Sequence, residues 1–239
     1  MKPPILGKIF LRFFALPLAL FASQLCSTAL AKQDGFKGPG PFAVSMSSVD
    51  GQGLLFEPTG SAPEGSWPAV VFAHGLCGPA EKYSSTLSRL ASWGFMVIAS
   101  QNQGDCGVMN VDHPFATLGN LFQLPVKFSN AVDFSGMADD IRSNLRYLKN
   151  RSDVDSNRLA LMGHSMGGGM VVDVASDLGA GGSDLVKAVV AIAPWNGVQP
   201  TPSSVVRSVS APILIFCSMS DALCPCSGEV QLSDTQGVL

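Results

Sequence analysis

Residues 158–169 constrain the fold of this chain more than any other segment. A short apolar run leads into Gly163-His164-Ser165-Met166-Gly167, and a sequence of helical character follows. A serine at the tip of a sharp strand-to-helix turn needs very small residues two positions before and after it, and Gly163 and Gly167 satisfy that need. We therefore predict a strand, an elbow that lifts Ser165 out of the backbone, and a helix whose first N–H groups point to the same place.

Strand-like and helix-like segments alternate along the rest of the chain. Apolar runs typical of strands buried on both faces occupy residues 69–73, 95–99, 186–192 and 213–217. Helical spacing of apolar residues marks residues 82–93, 137–149 and 168–178. We predict an α/β fold with a mostly parallel, doubly wound sheet and helices on both faces.

Three further segments complete the predicted element order. A hairpin is expected near residues 51–57, and Asp153 with Asp155 is interpreted as a turn before the elbow strand. The long segment 101–133 lacks clear periodicity, which is typical either of a loop that lines a site or of packing beneath a surface excursion. Ligands of such sheets lie at the carboxyl ends of the strands. The residues predicted at that edge are Leu76, Asn102, Ser165, Trp195 and Asp221.

The first 31 residues have the features of a secretion signal. Lys2, Lys8 and Arg12 accompany an apolar stretch, and small residues lead up to Ala31. We predict cleavage after Ala31, a secreted or extracytoplasmic location, and one domain over residues 32–239. The apolar stretch is too short to span a bilayer comfortably, so no stable membrane anchor is expected.

Composition excludes some function classes. The chain is 46% hydrophobic and 14% charged, which is typical of a globular protein with a large core. Of its 15 basic and 18 acidic residues, cleavage would remove Lys2, Lys8 and Arg12, leaving 12 basic residues and a formal charge of −6. A mildly acidic surface repels phosphate backbones, so a nucleic-acid partner is not expected.

The cysteines of the predicted secreted chain argue against a metal site. The five cysteines after the signal are Cys77, Cys106, Cys217, Cys224 and Cys226. An odd number leaves at least one thiol unpaired unless part of the chain is missing. Cys224 and Cys226 are too close for an unstrained mutual disulfide and lack zinc-site spacing, so we predict no metal. Cys77 and Cys106 follow strands expected to be neighbours and are predicted to pair.

The elbow suggests acyl-transfer chemistry, which needs a nucleophile, a base, an acid that orients the base, and two donors for the oxyanion. Ser165 is the candidate nucleophile, and the N–H groups of Leu76 and Met166 are the candidate donors. His74 is predicted to brace the loop after its strand. His164 is excluded as the base, because adjacent residues on a tight turn point apart.

Several motifs together resemble the α/β-hydrolase superfamily. They are His74-Gly75, the elbow at residues 163–169, Ala193-Pro194-Trp195, and residues 211–215 running into residues 220–225. Within this superfamily the chain looks like the secreted lipase, cutinase and polyester-hydrolase branch, with dienelactone-hydrolase and chlorophyllase-type esterases close by. The resemblance implies the α/β-hydrolase fold, Ser165 as nucleophile and Asp221 as triad acid. It also implies Trp195 as the aromatic wall of the acyl-side subsite, Leu76 where that branch usually carries an aromatic residue, and no cofactor.

Two of these assignments have structural alternatives. Asp221 also fits a solvated turn residue, and Trp195 also fits a core-packing residue.

One feature departs from the superfamily pattern, in which a histidine follows the acid along the chain. No histidine follows Asp221, and His113 would need a rewired geometry to act as the base. Either the sequence is a truncated product that lacks its last strand and base, or it is a short form that binds without efficient turnover. Truncation is favoured, because a sheet ending at the 213–217 strand exposes a hydrophobic edge.

We therefore predict a serine hydrolase that cleaves carboxylic esters through an acyl-enzyme on Ser165. The substrate is expected to be a neutral small-molecule or polymeric ester. The alternative is a truncated or catalytically silent α/β-hydrolase-fold protein that binds apolar ligands. The sequence leaves the identity of the ester and the oligomeric state open.

Overall fold

The computed structural model describes residues 38–76, 78–101, 134–194 and 203–221. Contacts divide the chain into Met1–Gly40 and Pro41–Leu239, and the fold is that of the second unit. Its strands are β1 (Val44–Val49), β2 (Gly53–Pro58), β3 (Trp67–Ala73), β4 (Met96–Ala99), β5 (Val154–His164), β6 (Val186–Ile192) and β7 (Ile213–Phe216). A 3₁₀ helix at Ala80–Tyr83 precedes the α-helices α1 (Ser84–Ser92), α2 (Phe134–Lys149), α3 (Met166–Ala180) and α4 (Ser203–Ser208).

The seven described strands form one sheet in the order β1-β2-β4-β3-β5-β6-β7. The hairpin β1–β2 is antiparallel, and β2 also pairs antiparallel with β4. All remaining pairs are parallel, so the mostly parallel sheet is confirmed. The hairpin expected near residues 51–57 is present, but it begins earlier than predicted, because β1 already starts at Val44. β3 and β5 lie side by side at the centre, with Ala73 opposite Gly163. Their carboxyl ends therefore open at the same edge.

Helices cover both faces of this sheet, as the alternating pattern predicts. One core cluster includes Val71, Leu161 and Ile98 together with residues of α2 and α3. The other includes Phe72 and Val97 together with residues of α1. β3 and β4 are buried on both faces, which explains why their sequences are continuously apolar. Each fully buried aliphatic or aromatic side chain contributes about 1.5–3 kcal/mol of burial free energy.

The helix predicted at residues 82–93 is present, preceded by one 3₁₀ turn. Its end is set by Gly94, which has φ +93° and whose N–H donates to the carbonyl of Ala91 at 2.8 Å. The left-handed conformation at Gly94 is one that a residue with a side chain rarely adopts.

The turn predicted at Asp153 and Asp155 is confirmed at Asp153, which forms a turn with Ser152, whereas Asp155 already lies in β5, which begins at Val154. The Asp155 side chain accepts a hydrogen bond from the N–H of Asn157 at 2.9 Å, which is the local contact of an Asx turn. The register with β6 shifts between Leu159 and Ala160. The Asx turn at Asp155 is therefore present, but it lies within β5, whose pairing with β6 is irregular.

Arg151 organises the amino-terminal edge of the sheet, opposite the elbow. Its guanidinium binds Asp153 through two hydrogen bonds of 2.9 and 2.7 Å, Glu57 at 2.7 Å and the Tyr147 hydroxyl at 3.0 Å. The Arg151 side chain is 22% exposed and that of Asp153 is 47% exposed. The hydrogen bonds from Arg151 hold the pKa of Asp153 below its ordinary value of 3.8.

Replacing Arg151 with methionine is expected to lower the free energy of unfolding at pH 7 by about 1–2 kcal/mol, because the network is partly screened by solvent. A carboxyl whose folded-state pKa is depressed stabilises the fold above its unfolded pKa and loses that contribution as the pH falls through the folded value. The deficit of the variant should therefore shrink below about pH 3.8. Urea unfolding at pH 7 and in acid measures this difference.

Arg142→Met is the matched control, because Arg142 pairs with Asp177 and Asp139, whose side chains are 66% and 78% exposed. Arg142→Met should lower the free energy of unfolding at pH 7 by less than Arg151→Met does. Equal costs for the two variants, or a deficit for Arg151→Met that grows in acid, would contradict this account of the network.

Candidate active site

Ser165 occupies the single residue between the end of β5 and the start of α3. Its backbone has φ +54° and ψ −121°, a sparsely populated conformation that costs about 1–3 kcal/mol in a residue with a side chain. Two hydrogen bonds hold it there: its N–H donates to Ile192 O at 2.9 Å, and its carbonyl accepts from Gly169 N at 3.1 Å. The predicted elbow is present, and the half-buried Ser165 side chain lies at its tip.

The flanking glycines are required by close backbone approach. A Cβ added to Gly163 would collide with the backbone of Gly167, and one added to Gly167 would collide with the carbonyls of Ala73 and His74. The first turn of α3 therefore rests directly on the end of β3. This steric demand is the one from which the elbow was predicted.

The loop after β3 lies against the elbow. A Cβ built on Gly75 would stand 3.2 Å from Ser165 Cβ and 3.1 Å from His164 Nδ1. The buried His74 ring donates from Nδ1 to Gly75 O at 2.8 Å, which confirms the predicted bracing role of His74. Leu76, the next residue along, is half-buried. Met166 is the first residue of α3, where backbone N–H groups have no intrahelical partner.

The His164 side chain contacts the 3₁₀ helix at Ala80–Tyr83. Its Nδ1 lies 2.9 Å from the Tyr83 hydroxyl. Burial lowers the pKa of the His164 imidazole, and the negative charge of Asp221 partly offsets this by raising it. The His164 ring is therefore predominantly neutral at pH 7.

Asp221 follows β7 at the same edge of the sheet as the elbow. β7 pairs in parallel with β6, and Phe216 lies opposite Ile192. The chain then turns, with Asp221 N–H donating to Ser218 O at 3.2 Å, and leaves Asp221 half-buried. The effect of its charge on His164 agrees with a carboxylate on the elbow side of the sheet.

A family model described as PETase, PET hydrolase-like, matches residues 27–231. This chain belongs to the PET hydrolase-like family. It is similar to a bis(hydroxyethyl) terephthalate hydrolase from Streptomyces coelicolor, with 28% identity over 80% of this chain and 54% of that protein. It is also similar to cutinase est1 from Thermobifida alba, with 30% identity over 80% of this chain and 56% of that protein. This PET hydrolase-like chain thus spans about half the length of the curated relatives it matches.

The fold of this family member agrees with a solved structure. A putative dienelactone hydrolase from Klebsiella pneumoniae matches with a TM-score of 0.60 and 20% identity, over 81% of this chain and 80% of that one. The α/β-hydrolase fold and the polyester-hydrolase and cutinase branch predicted from the motifs are therefore confirmed. The prediction of a missing last strand is not tested by these matches.

Among the predicted site residues of this PET hydrolase-like chain, Leu76, Ser165, Met166 and Asp221 come to one edge of the sheet. Trp195 and His113 lie outside the described residues. Ala193, two positions before Trp195, has φ +43°, and its N–H donates to Phe216 O at 2.6 Å. Ser165 and Ala193 are the two non-glycine residues with positive φ in the part of the chain that the structure describes, and both lie at this edge.

Of the five cysteines predicted in the secreted chain, Cys217 is the one among the described residues. Cys217, at the end of β7, is disulfide-bonded. The predicted pair Cys77 and Cys106 lies outside the described residues. Within the described ranges, no group of three or more His, Cys, Asp or Glu side chains is arranged to hold a metal, and no helix has the length and apolar character needed to cross a bilayer.

Sequence reasoning missed Tyr83. Its place among apolar residues at helical spacing predicts packing, and its ring does pack on Phe72 at 4.8 Å between centroids. Its hydroxyl, however, contacts both Gly75 and His164. The sequence feature that could have indicated this contact was the position of Tyr83, seven residues after Leu76 and directly before α1.

Proposed function

We propose that this chain is the catalytic part of a secreted serine hydrolase that cleaves carboxylic esters through an acyl-enzyme on Ser165. The observation that supports it most is the strained backbone of Ser165 at the strand-to-helix turn, directly beside the loop after β3. Strain of this kind is stored where a side chain must be presented for chemistry. Belonging to the PET hydrolase-like family supports the same conclusion.

In the proposed reaction, Ser165 Oγ attacks the ester carbonyl and forms a C–O bond while its proton passes to a base. The carbonyl oxygen becomes an oxyanion that accepts from the N–H groups of Leu76 and Met166. Collapse of the intermediate breaks the bond to the alcohol, which leaves with the proton. Water then attacks the acyl-enzyme, the bond between the acyl carbon and Ser165 Oγ breaks, and the carboxylic acid leaves as Ser165 is regenerated.

Asp221 is proposed to orient the general-base histidine. Neither described histidine fits the role of general base, because His74 Nδ1–H is hydrogen-bonded to Gly75 O and His164 Nδ1 faces the Tyr83 hydroxyl. The base in this proposal is therefore none of the described residues. Without it, Ser165 would retain only the contributions of the oxyanion donors and of substrate binding.

The proposed substrate class is a neutral, fairly apolar ester, either polymeric or small. The relatives named as cutinases and as a bis(hydroxyethyl) terephthalate hydrolase support this class. Trp195 is proposed to line the acyl side of the pocket, where an aromatic face would stack on a flat acyl group. Secretion through cleavage after Ala31 completes the proposal.

A fluorophosphonate probe tests the nucleophile directly, because it forms a phosphorus–oxygen bond only with an activated serine and releases fluoride. In protein that includes the general base, we expect stoichiometric labelling of the folded state, mapped by peptide mass to Ser165 and lost in urea. Well-folded protein that binds apolar esters but stays unlabelled would instead support the catalytically silent binding protein.

A further inference from the structure

Tyr83 contacts both the loop after β3 and the elbow that carries Ser165. The N–H of Gly75, in the loop after β3, donates to the Tyr83 hydroxyl at 3.1 Å. The same hydroxyl lies 2.9 Å from Nδ1 of His164, the last residue before Ser165. The Tyr83 ring is fixed by packing on Phe72 at 4.8 Å and on His164 at 5.7 Å between centroids.

A backbone N–H can only donate, so the Tyr83 oxygen accepts from Gly75. We assign the Tyr83 hydroxyl hydrogen to His164 Nδ1, which lies 2.9 Å away and accepts when the ring proton is on Nε2. Burial raises the pKa of the Tyr83 hydroxyl, which therefore stays protonated at neutral pH. Burial also lowers the pKa of the His164 imidazole, so the ring is neutral at pH 7 and carries one proton, as this assignment requires.

This junction holds the His74–Gly75 peptide, which directly precedes the peptide that carries one of the proposed oxyanion donors. The Gly75 N–H is held by Tyr83, and the Gly75 carbonyl accepts from His74 Nδ1 at 2.8 Å and from Gly78 N at 2.9 Å. The Gly75 carbonyl and the Leu76 N–H belong to one planar trans peptide, so they point in opposite directions. Fixing the carbonyl therefore fixes the direction of the Leu76 N–H.

We propose that Tyr83 and His164 are a positioning pair that aligns the Leu76 N–H with the oxyanion formed at Ser165. The inference rests on the proposed function. The pair touches neither substrate nor reacting atoms. It acts by tying the loop after β3 to the elbow, so that both donors are in place before charge develops.

Tyr83→Phe is the main test, because it keeps the ring packing and removes only the hydroxyl. We expect kcat on a p-nitrophenyl ester to fall about tenfold, the usual effect of one lost hydrogen bond, with KM unchanged, since the donors act on the transition state. Tyr147→Phe is the matched control: Tyr147 is the only other tyrosine and contacts Arg151 at the opposite edge of the sheet. It should leave kcat unchanged.

Substitutions of His164 supply a rescue test. Asparagine places a side-chain oxygen near the position of Nδ1 and still accepts from Tyr83, whereas leucine cannot accept. We expect His164→Asn to keep most of kcat and His164→Leu to lose as much as Tyr83→Phe. Equal kcat values for the asparagine and leucine variants would overturn the proposal.

A measurement independent of activity is the tautomer of His164 in ¹⁵N-labelled protein. We expect Nδ1 to be unprotonated and hydrogen-bonded in the wild type and to lose that hydrogen bond in Tyr83→Phe. The wild type separates the two possible failures. If it neither labels nor hydrolyses esters, the proposed function fails and the positioning role with it. If it is active while folded Tyr83→Phe has the same kcat, only the positioning role is wrong.

Discussion

In protein that includes the general base, Ser165→Ala is expected to reduce ester hydrolysis by about 10⁴-fold or more and to abolish fluorophosphonate labelling. The expected loss is large because the hydroxyl forms the covalent bond, and no other group at the turn can replace it. Alanine keeps the Cβ that serine already carries at φ +54°, so the strain of the elbow is unchanged and the fold should survive. Steady-state kinetics together with circular dichroism measures both expectations.

Ser204→Ala is the matched control, because Ser204 lies exposed on α4. It should retain full activity and labelling. Turnover by Ser165→Ala within tenfold of the wild type would place the nucleophile elsewhere and refute the proposed mechanism.

Gly167→Ala is expected to destabilise the protein by about 3 kcal/mol or more, or to prevent folding altogether. The added Cβ would collide with the carbonyl oxygen and carbon of Ala73 and with the carbonyl of His74. These are backbone atoms of a central strand, so relief requires α3 to move away from β3. Thermal and urea unfolding measure the loss.

Gly181→Ala provides the comparison at the other end of α3. Gly181 has φ −76°, and an added Cβ would meet carbonyl oxygens of Asp177 and Leu178 at 3.4 Å, an ordinary contact. This variant should unfold within about 1 kcal/mol of the wild type. Similar stabilities for the two alanine variants would show that the tight approach at Gly167 does not exist in solution.

The parts of the molecule that follow from local steric rules were predictable from the sequence. Buried parallel strands such as β3 have continuous apolar sequences, and Gly163 with Gly167 identifies an elbow because only glycine fits there. The positions of Ser165 and Asp221 at strand ends follow from the same pattern. The bracing contact of His74 followed from its place in the loop beside the elbow.

Other features depended on contacts between distant segments and were not predictable in this way. The hydrogen bond of Tyr83 with His164 joins residues 81 positions apart, and helical spacing reports only that a side chain faces inward. The start of β5 was misplaced because Asp155 has the chemistry of a turn, while pairing with β3 extends the strand back to Val154. In both cases a contact between segments distant in the sequence determines the local structure.

The Arg151 network and the elbow lie at opposite edges of the sheet, about 20 Å apart along the seven residues of β3. Glu64, in the loop next to that network, is exposed and pairs with Arg158 at 2.7 Å. A linker attached at this loop would hold the protein on a solid support by the edge remote from Ser165. The immobilised molecule would then present Ser165 and the carboxyl ends of the parallel strands outward, toward a film or particle of the proposed polymeric ester.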